Sequence, residues 1–225
     1  MDLNSKTIVI TGGARGLGGA MALRLSRAGA KLALVDLDQD QLDAMASECR
    51  ESGSPEVRTY VCNVAREADV EALFGTIATD FGALDGLVNN AGITRDAMLL
   101  KYKDGEQVGK MTLEQWQTVI DVNLTGVWRC MKYEIKAMLE TGGGSIVNIS
   151  SISGKRAIDL GGIAYCASKF AMTALGTAVG QEEATHGIRV TNVYPGEVDT
   201  PILEQRPSPV SDEHRSRMLR PDDVA

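Results

Sequence analysis

The sequence predicts an α/β fold, a parallel sheet with helices on both faces, and three observations carry that expectation. Short apolar, β-branched runs recur along the 225 residues, and stretches of helical periodicity separate them. The first run, Lys6 to Thr11, leads into a glycine-rich turn and then a helix. The second, Lys31 to Asp36, closes on a carboxylate. Such alternation builds a doubly wound sheet with its site at the carboxyl ends of the strands.

Each element has a local reason. Lys6-Thr-Ile-Val-Ile-Thr11 is continuously apolar in its centre, as a strand buried on both faces should be. Gly12 to Gly19 forms the turn, and Ala20 to Ala28 follows as a helix. Lys31 to Asp36 is the second strand and Gln39 to Glu51 its helix. Val57 to Cys62, Asp69 to Phe81 and Leu84 to Asn89 read as strand, helix, strand. Leu113 to Asn123 opens a long helical region, interrupted near Gly126 and resumed to about Leu139. Ser145 to Ser150 is the fifth strand, Tyr165 to Thr185 a helix, and Ile188 to Tyr194 the sixth strand.

Two regions depart from this plan. Lys101 to Lys110 is polar and predicts a hairpin around Asp104-Gly105. It follows Met98-Leu-Leu100, which could border a substrate or face solvent. From Pro195 onward lie five of the six prolines, so this stretch is irregular, either a lid or a plain loop.

Strand, glycine turn and helix together form a dinucleotide cradle. Gly12, Gly16 and Gly18 let the backbone turn tightly and approach a pyrophosphate. The helix N-terminus offers its free N–H groups to phosphate oxygens. Asp36 falls eighteen residues after Gly18, where an acid can bond both hydroxyls of an adenosine ribose and repel a 2′-phosphate. That favours NAD. Arg15 in the glycine loop leaves NADP open, unless an Arg15–Asp36 ion pair neutralises it. Further on, Tyr165 and Lys169 are four residues apart and share a helix face, with Ser151 fourteen residues before the tyrosine. A phenol is a poor acid or base near neutral pH unless a positive charge favours the phenolate, and Lys169 supplies one.

These blocks resemble the classical short-chain dehydrogenase/reductase family over essentially the whole chain. The glycine motif is Thr11-Gly-Gly-Ala-Arg-Gly-Leu-Gly18, followed by Asn89-Asn90-Ala91-Gly92 and by Asn123 within Asp121-Val-Asn-Leu-Thr-Gly126. Val147 to Gly154 holds Ser151, and Pro195-Gly196 with Thr200 matches the segment flanking the nicotinamide. The resemblance implies catalytic Asn123, Ser151, Tyr165 and Lys169. It implies a cofactor set of Gly12, Arg15, Gly16, Leu17, Gly18, Asp36, Asn63, Val64, Asn90, Ala91, Gly92, Tyr165, Lys169, Pro195, Gly196, Val198 and Thr200. Asn63 departs from the family, which carries aspartate near the adenine; its amide oxygen can still accept a hydrogen bond.

The implied fold is a single Rossmann-type domain over residues 1–225. The chain stops near Arg220-Pro-Asp-Asp-Val-Ala225, before the helix and seventh strand that family members carry, and so reads as truncated. With 23 basic and 30 acidic residues the net charge is −7, which argues against a nucleic-acid partner. No apolar run approaches a membrane span, and the first strand begins too early for a signal peptide. Cys49, Cys62, Cys130 and Cys166 show no metal-ligand spacing and read as reduced thiols of a cytoplasmic protein; Cys166 reads as packing. His186 and His214 belong to no cluster, and no metal is expected.

The resemblance further implies a hydride transfer between nicotinamide and a small carbonyl or alcohol substrate. In that scheme Ser151 and Tyr165 hold the substrate oxygen, Tyr165 moves the proton, and Lys169 lowers the tyrosine pKa and binds the nicotinamide ribose. Asn123 holds a water linking Lys169 to solvent. Asn89 to Asp96 resembles the 3-oxoacyl-carrier-protein reductases, which prefer NADPH. A general alcohol or ketone oxidoreductase is the first expectation and the carrier-protein reductase the alternative. A non-catalytic dinucleotide sensor or scaffold is the third. Val127 to Leu139 and Phe170 to Thr185 match the helices of a four-helix dimer interface, so a homodimer is expected, and a homotetramer for a longer parent chain.

Overall fold

A computed structural model describes residues 2–95, 97–157, 162–205 and 210–225. Its central sheet is parallel and six-stranded: β1 (Thr7–Thr11), β2 (Lys31–Asp36), β3 (Val57–Val61), β4 (Gly86–Asn89), β7 (Gly144–Ile149) and β8 (Ile188–Val193). A separate antiparallel hairpin pairs β5 (Leu100–Lys103) with β6 (Glu106–Lys110). The helices are α1 (Gly16–Arg27), α2 (Gln39–Glu51), α3 (Glu67–Phe81), α4 (Leu113–Ile120), α5 (Gly126–Thr141), α6 (Ile163–Glu182) and two short ones, α7 (Asp212–Arg215) and α8 (Pro221–Val224).

The strand order is β3-β2-β1-β4-β7-β8. Successive connections therefore run one way from β1 and the other way from β4. The crevice at such a reversal, beyond the carboxyl ends of β1 and β4, is where open α/β sheets bind ligands.

The inner strands β1, β2 and β4 are buried on both faces, which explains their apolar centres, whereas the edge strands β3 and β8 are only partly buried. Ile8, Ile10, Leu32 and Leu34 pack with Met21 of α1 and Leu42 of α2. Val9, Val35, Leu87, Ile146 and Ile188 pack with Leu73 and Ile77 of α3, Met131 and Met138 of α5, and Met172 of α6. On that second face three asparagines in register join the strands: Asn89 Nδ2 donates to Asn148 Oδ1 at 2.9 Å, and Asn148 Nδ2 to Asn192 Oδ1 at 3.1 Å. Asn192 Nδ2 then donates to the Thr173 carbonyl of α6 at 3.2 Å. Gly176 lets α6 lie against this row, since a Cβ there would stand 2.3 Å from Asn192 Oδ1.

Two local outcomes differ from sequence expectation. Helix α1 begins at Gly16 rather than Ala20, inside the glycine motif, whose residues have poor intrinsic helix propensity. The interruption near Gly126 is a π turn over Asp121–Thr125, where the Gly126 N–H reaches back five residues to Asp121 O. A Cβ at Gly126 would meet Val64 Cγ2 at 3.0 Å, so the glycine lets α5 approach the loop after β3. The expected hairpin is present, with Asp104 (φ 53°) and Gly105 (φ 85°) both left-handed, the geometry of a tight two-residue turn. After Pro195 the chain is irregular, with a 3-10 turn at Pro201–Gln205 and the short helices α7 and α8.

Candidate active site

Thr11 at the end of β1 organises the switch point. Its hydroxyl oxygen accepts the N–H groups of Asn90 (3.1 Å) and Ala91 (3.2 Å), and its proton goes to Val88 O at 3.3 Å. Asn90 Nδ2 returns to Thr11 O (3.1 Å) and Gly12 O (2.9 Å). The glycine loop is thereby pinned to the end of β4. Gly18 makes the packing feasible: a Cβ there would lie 2.0 Å from Gly12 O. The first turn of α1 leaves the N–H groups of Gly16, Leu17 and Gly18 without intrahelical acceptors and adds the positive end of the helix dipole. A bare-backbone cradle of this kind fits a pyrophosphate.

Asp36 at the end of β2 is fixed by two backbone donors, Ala14 N–H at 3.2 Å and Leu37 N–H at 2.7 Å. It makes no ion pair with Arg15, so the neutralising pair considered from sequence does not form. Asn63 after β3 accepts Ala65 N–H at 3.0 Å through Oδ1, so the oxygen expected to face a ligand serves a local turn.

At the other end of the crevice lie Ser151, Tyr165 and Lys169. Ser151 follows β7, and its Oγ accepts Ser153 N–H at 3.1 Å. Lys169 is only 3% exposed; its Nζ donates to Ile149 O at 2.7 Å and lies 5.6 Å from the Tyr165 ring centroid. Burial lowers its pKa from 10.5 to about 7, so the expected fixed positive charge is only marginal in this state. Asn123, in the π turn, is fully buried. Its Oδ1 accepts Ile93 N–H (2.9 Å), and its Nδ2 donates to Ile93 O (3.0 Å) and Ser168 Oγ (3.2 Å).

One cavity of about 460 Å³ joins these parts. Its wall includes Gly12, Arg15, Gly16, Leu17, Asp36, Asn63, Val64, Asn90, Ala91, Gly92, Ser151, Tyr165, Lys169, Pro195, Gly196, Val198 and Thr200. Gly18 and Asn123 are not on the wall: both stand behind it, shaping the loop and holding the backbone of Ile93. Leu37, Ile93, Ile152, Glu197 and Leu203 also line the cavity; sequence reasoning missed them, and their only signal was adjacency to motif residues. Cys62 lines it too, and burial pushes its thiol up to about 11, which keeps it protonated. Asp96, part of the carrier-reductase resemblance, lies outside the described residues. Among the described residues no group of three or more His, Cys, Asp or Glu could hold a metal, and no helix is long and apolar enough to cross a membrane.

A family model described as short chain dehydrogenase matches residues 6–210. The 2,5-dichloro-2,5-cyclohexadiene-1,4-diol dehydrogenase of Sphingobium indicum is 35% identical over 205 residues, 91% of this chain and 77% of that protein. The 3-oxoacyl-[acyl-carrier-protein] reductase FabG of Thermotoga maritima is 34% identical over 231 residues, 100% of this chain and 89% of that protein. A crystal structure of a short-chain type dehydrogenase/reductase from Mycobacterium marinum superposes with a TM-score of 0.88 at 31% identity, covering 99% of this chain and 86% of that one. The chain belongs to the short-chain dehydrogenase family, and it is an oxidoreductase of the kind that uses a nicotinamide dinucleotide.

Proposed function

We propose that this protein interconverts a secondary alcohol and a ketone, with NAD as its preferred dinucleotide and Tyr165 as acid and base. The observation that carries the reading is one continuous cavity with the phosphate cradle and Asp36 at one end and Ser151, Tyr165 and Lys169 at the other. The bound nicotinamide supplies or accepts the hydride. Ser151 uses its Oγ to accept a backbone N–H, leaving the hydroxyl proton to hold a substrate oxygen. Tyr165 donates the proton in reduction and takes it in oxidation. Lys169 favours the tyrosinate when charged, and polar ligand atoms beside it restore the solvation that burial removes. Both N–H groups of Asn123 are committed, to Ile93 O and Ser168 Oγ, and in this reading the residue helps hold a water that links Lys169 to solvent.

Asp36 favours NAD because it is held beside the glycine loop without a neutralising partner in Arg15. A second reading, reduction of 3-oxoacyl thioesters on a carrier protein, has support from Asn89 to Arg95 and from the FabG relative that covers the whole chain. It calls for NADPH, which Asp36 disfavours. The protein acts as a homodimer through α5 and α6, whose Trp128 and Phe170 are 46% and 43% exposed in the single chain. Four buried free cysteines suit a reducing, cytoplasmic setting.

A spectrophotometric screen of secondary alcohols, ketones and 3-oxoacyl thioesters with both dinucleotides tests the reading. Turnover of an alcohol–ketone pair with NAD is the expected result. Tyr165→Phe should then lower turnover by about 10²–10⁴-fold with dinucleotide affinity nearly unchanged. Full activity in that variant removes Tyr165 from the mechanism.

A further inference from the structure

Glu197, Val198 and Asp199 form a short run between β8 and the 3-10 turn at Pro201, and α7 grips it from outside. Val198 is buried and lines the cavity, as do its neighbours Gly196 and Thr200. Glu197 borders the cavity too, but its carboxylate reaches α7, where His214 Nε2 donates to Oε2 at 2.7 Å. Arg215 Nη1 donates to Asp199 Oδ1 at 3.2 Å. A parallel bridge to Leu219 completes the grip: Leu219 N–H donates to Glu197 O, and Leu219 O accepts Asp199 N–H, both at 2.9 Å.

This run stands between the reacting groups and the phosphate cradle. Ile152 N–H, next to Ser151, donates to Pro195 O at 2.9 Å, so the wall begins beside the serine. At its other end a Cβ on Gly16 would lie 3.3 Å from Pro201 Cδ and 3.6 Å from Thr200 Cβ, so the wall abuts the glycine loop. Beyond Leu219, α8 packs against α1, and Ala225 joins the apolar cluster that holds Met21 and Ala22 of that helix. Residues 214–225 therefore tie the wall at the reacting end to the helix whose N-terminus forms the cradle.

We infer that His214 and Arg215 are positioning residues for the nicotinamide half of the dinucleotide, acting through Glu197 and Asp199. The inference rests on the dinucleotide reading above. With a pyrophosphate on α1 and one ribose on Asp36, the other half of the ligand extends toward Ser151 and Tyr165, along Gly196, Val198 and Thr200. Neither His214 nor Arg215 lines the cavity, so any effect on the ligand passes through the wall. Both ion pairs are partly exposed, and an isolated pair of that kind contributes little. Here the Leu219 bridge already fixes the spacing of the two strands of chain, so the pairs hold the wall with little further ordering of side chains.

The test compares NADH, bound with a nicotinamide fluorescence readout, with ADP-ribose, bound by calorimetry. ADP-ribose shares the adenosine, the pyrophosphate and a second ribose but lacks the nicotinamide, so Asp36 and the cradle cancel in the ratio of dissociation constants. His214→Ala with Arg215→Ala should weaken NADH about three- to tenfold and ADP-ribose by less than about twofold. Asp199→Arg and Arg215→Asp should each shift the ratio, and the two together should restore it. A ratio left at the parent value by the double alanine variant, including an equal loss for both ligands, overturns the positioning role and leaves the dinucleotide reading standing. A combined charge swap that restores nothing overturns the Asp199–Arg215 pair as its means. A parent protein that binds neither ligand overturns the dinucleotide reading and this inference with it.

Discussion

Lys169 Nζ donates to the carbonyl of Ile149 at 2.7 Å, tying the ammonium of α6 to the last residue of β7. The bond orients the lysine toward the cavity but does not replace the water that burial removes, so its pKa falls to about 7. Below about pH 7 the folded protein carries the proton at a desolvation penalty. Between about 7 and 10.5 the unfolded chain holds that proton and the folded one does not, so this group's contribution to stability rises with pH across the window. Lys169→Met should flatten that rise in urea titrations of the ligand-free protein. Calorimetry in buffers of different ionisation enthalpy should show proton uptake when dinucleotide binds above pH 7. Proton release would mean that the ligand disfavours the charged lysine.

Gly18 and Gly19 separate backbone contact from side-chain contact. A Cβ on Gly18 would stand 2.0 Å from Gly12 O, and one on Gly19 would stand 2.7 Å from the flexible tip of Met45. Gly18→Ala should destabilise by about 1–3 kcal/mol and impair dinucleotide binding, because the loop must shift. Gly19→Ala should be far milder, since Met45 can rotate. Thermal melts with and without NADH would rank them, and equal effects would contradict the cradle.

In the proposed reading Asp36 selects NAD over NADP. NADH should bind more tightly than NADPH. Asp36→Ala should narrow the gap by about tenfold or more, because a carboxylate and a phosphate dianion no longer repel at short range. Equal or tighter NADPH binding by the parent protein would show that Arg15 prevails.

Trp128 and Phe170 test the assembly. Introducing charge at both, as Trp128→Glu with Phe170→Glu, should convert the proposed dimer to a monomer in light scattering at micromolar concentration. A parent protein already monomeric there would refute the α5–α6 interface.

Glu134 in α5 is fully buried, and neither carboxyl oxygen has a hydrogen-bond partner among the described residues. Burial raises its pKa well above 4.5, with a further push from Asp85. The folded state therefore holds a proton that the unfolded chain releases above its ordinary range, and stability falls as pH rises from there. Glu134→Met should stabilise by about 1–3 kcal/mol near neutrality, and the gain should grow with pH in urea titrations at pH 5, 7 and 9. A destabilised variant would reveal a polar partner for this carboxyl.

Most of the fold is legible in the residues because the inner parallel strands β1 and β2 are apolar runs and helical periodicity separates the strands. Gln39–Glu51 emerges with the expected limits, since Asp38 caps it by accepting the Gln41 N–H. The start of α1 is hidden, because glycines that fit a tight loop also depress helix propensity. The interruption near Gly126 is legible, but its form as a π turn is not, since no residue type marks a hydrogen bond that spans five residues. In the site, residue types announce chemistry but not direction. Nothing in the letter sequence shows that Asn63 turns its oxygen toward Ala65, or that Asn123 faces Ile93 rather than the cavity. The charge state of Lys169 depends on its burial, which emerges only when α6 folds over the end of β7 and Nζ reaches Ile149 O.

The asparagine row has a sense as well as a place. Every amide in it donates in one direction, from β4 through β7 and β8 to the Thr173 carbonyl, and Asn89 Oδ1 at the start has no partner among the described residues. Turning over one amide would set donor against donor on one side and acceptor against acceptor on the other, so no member can flip alone. The row behaves as a ratchet tooth across three strands. It admits one register and one polarity, and it fixes the height at which α6 carries Tyr165 and Lys169 over the sheet.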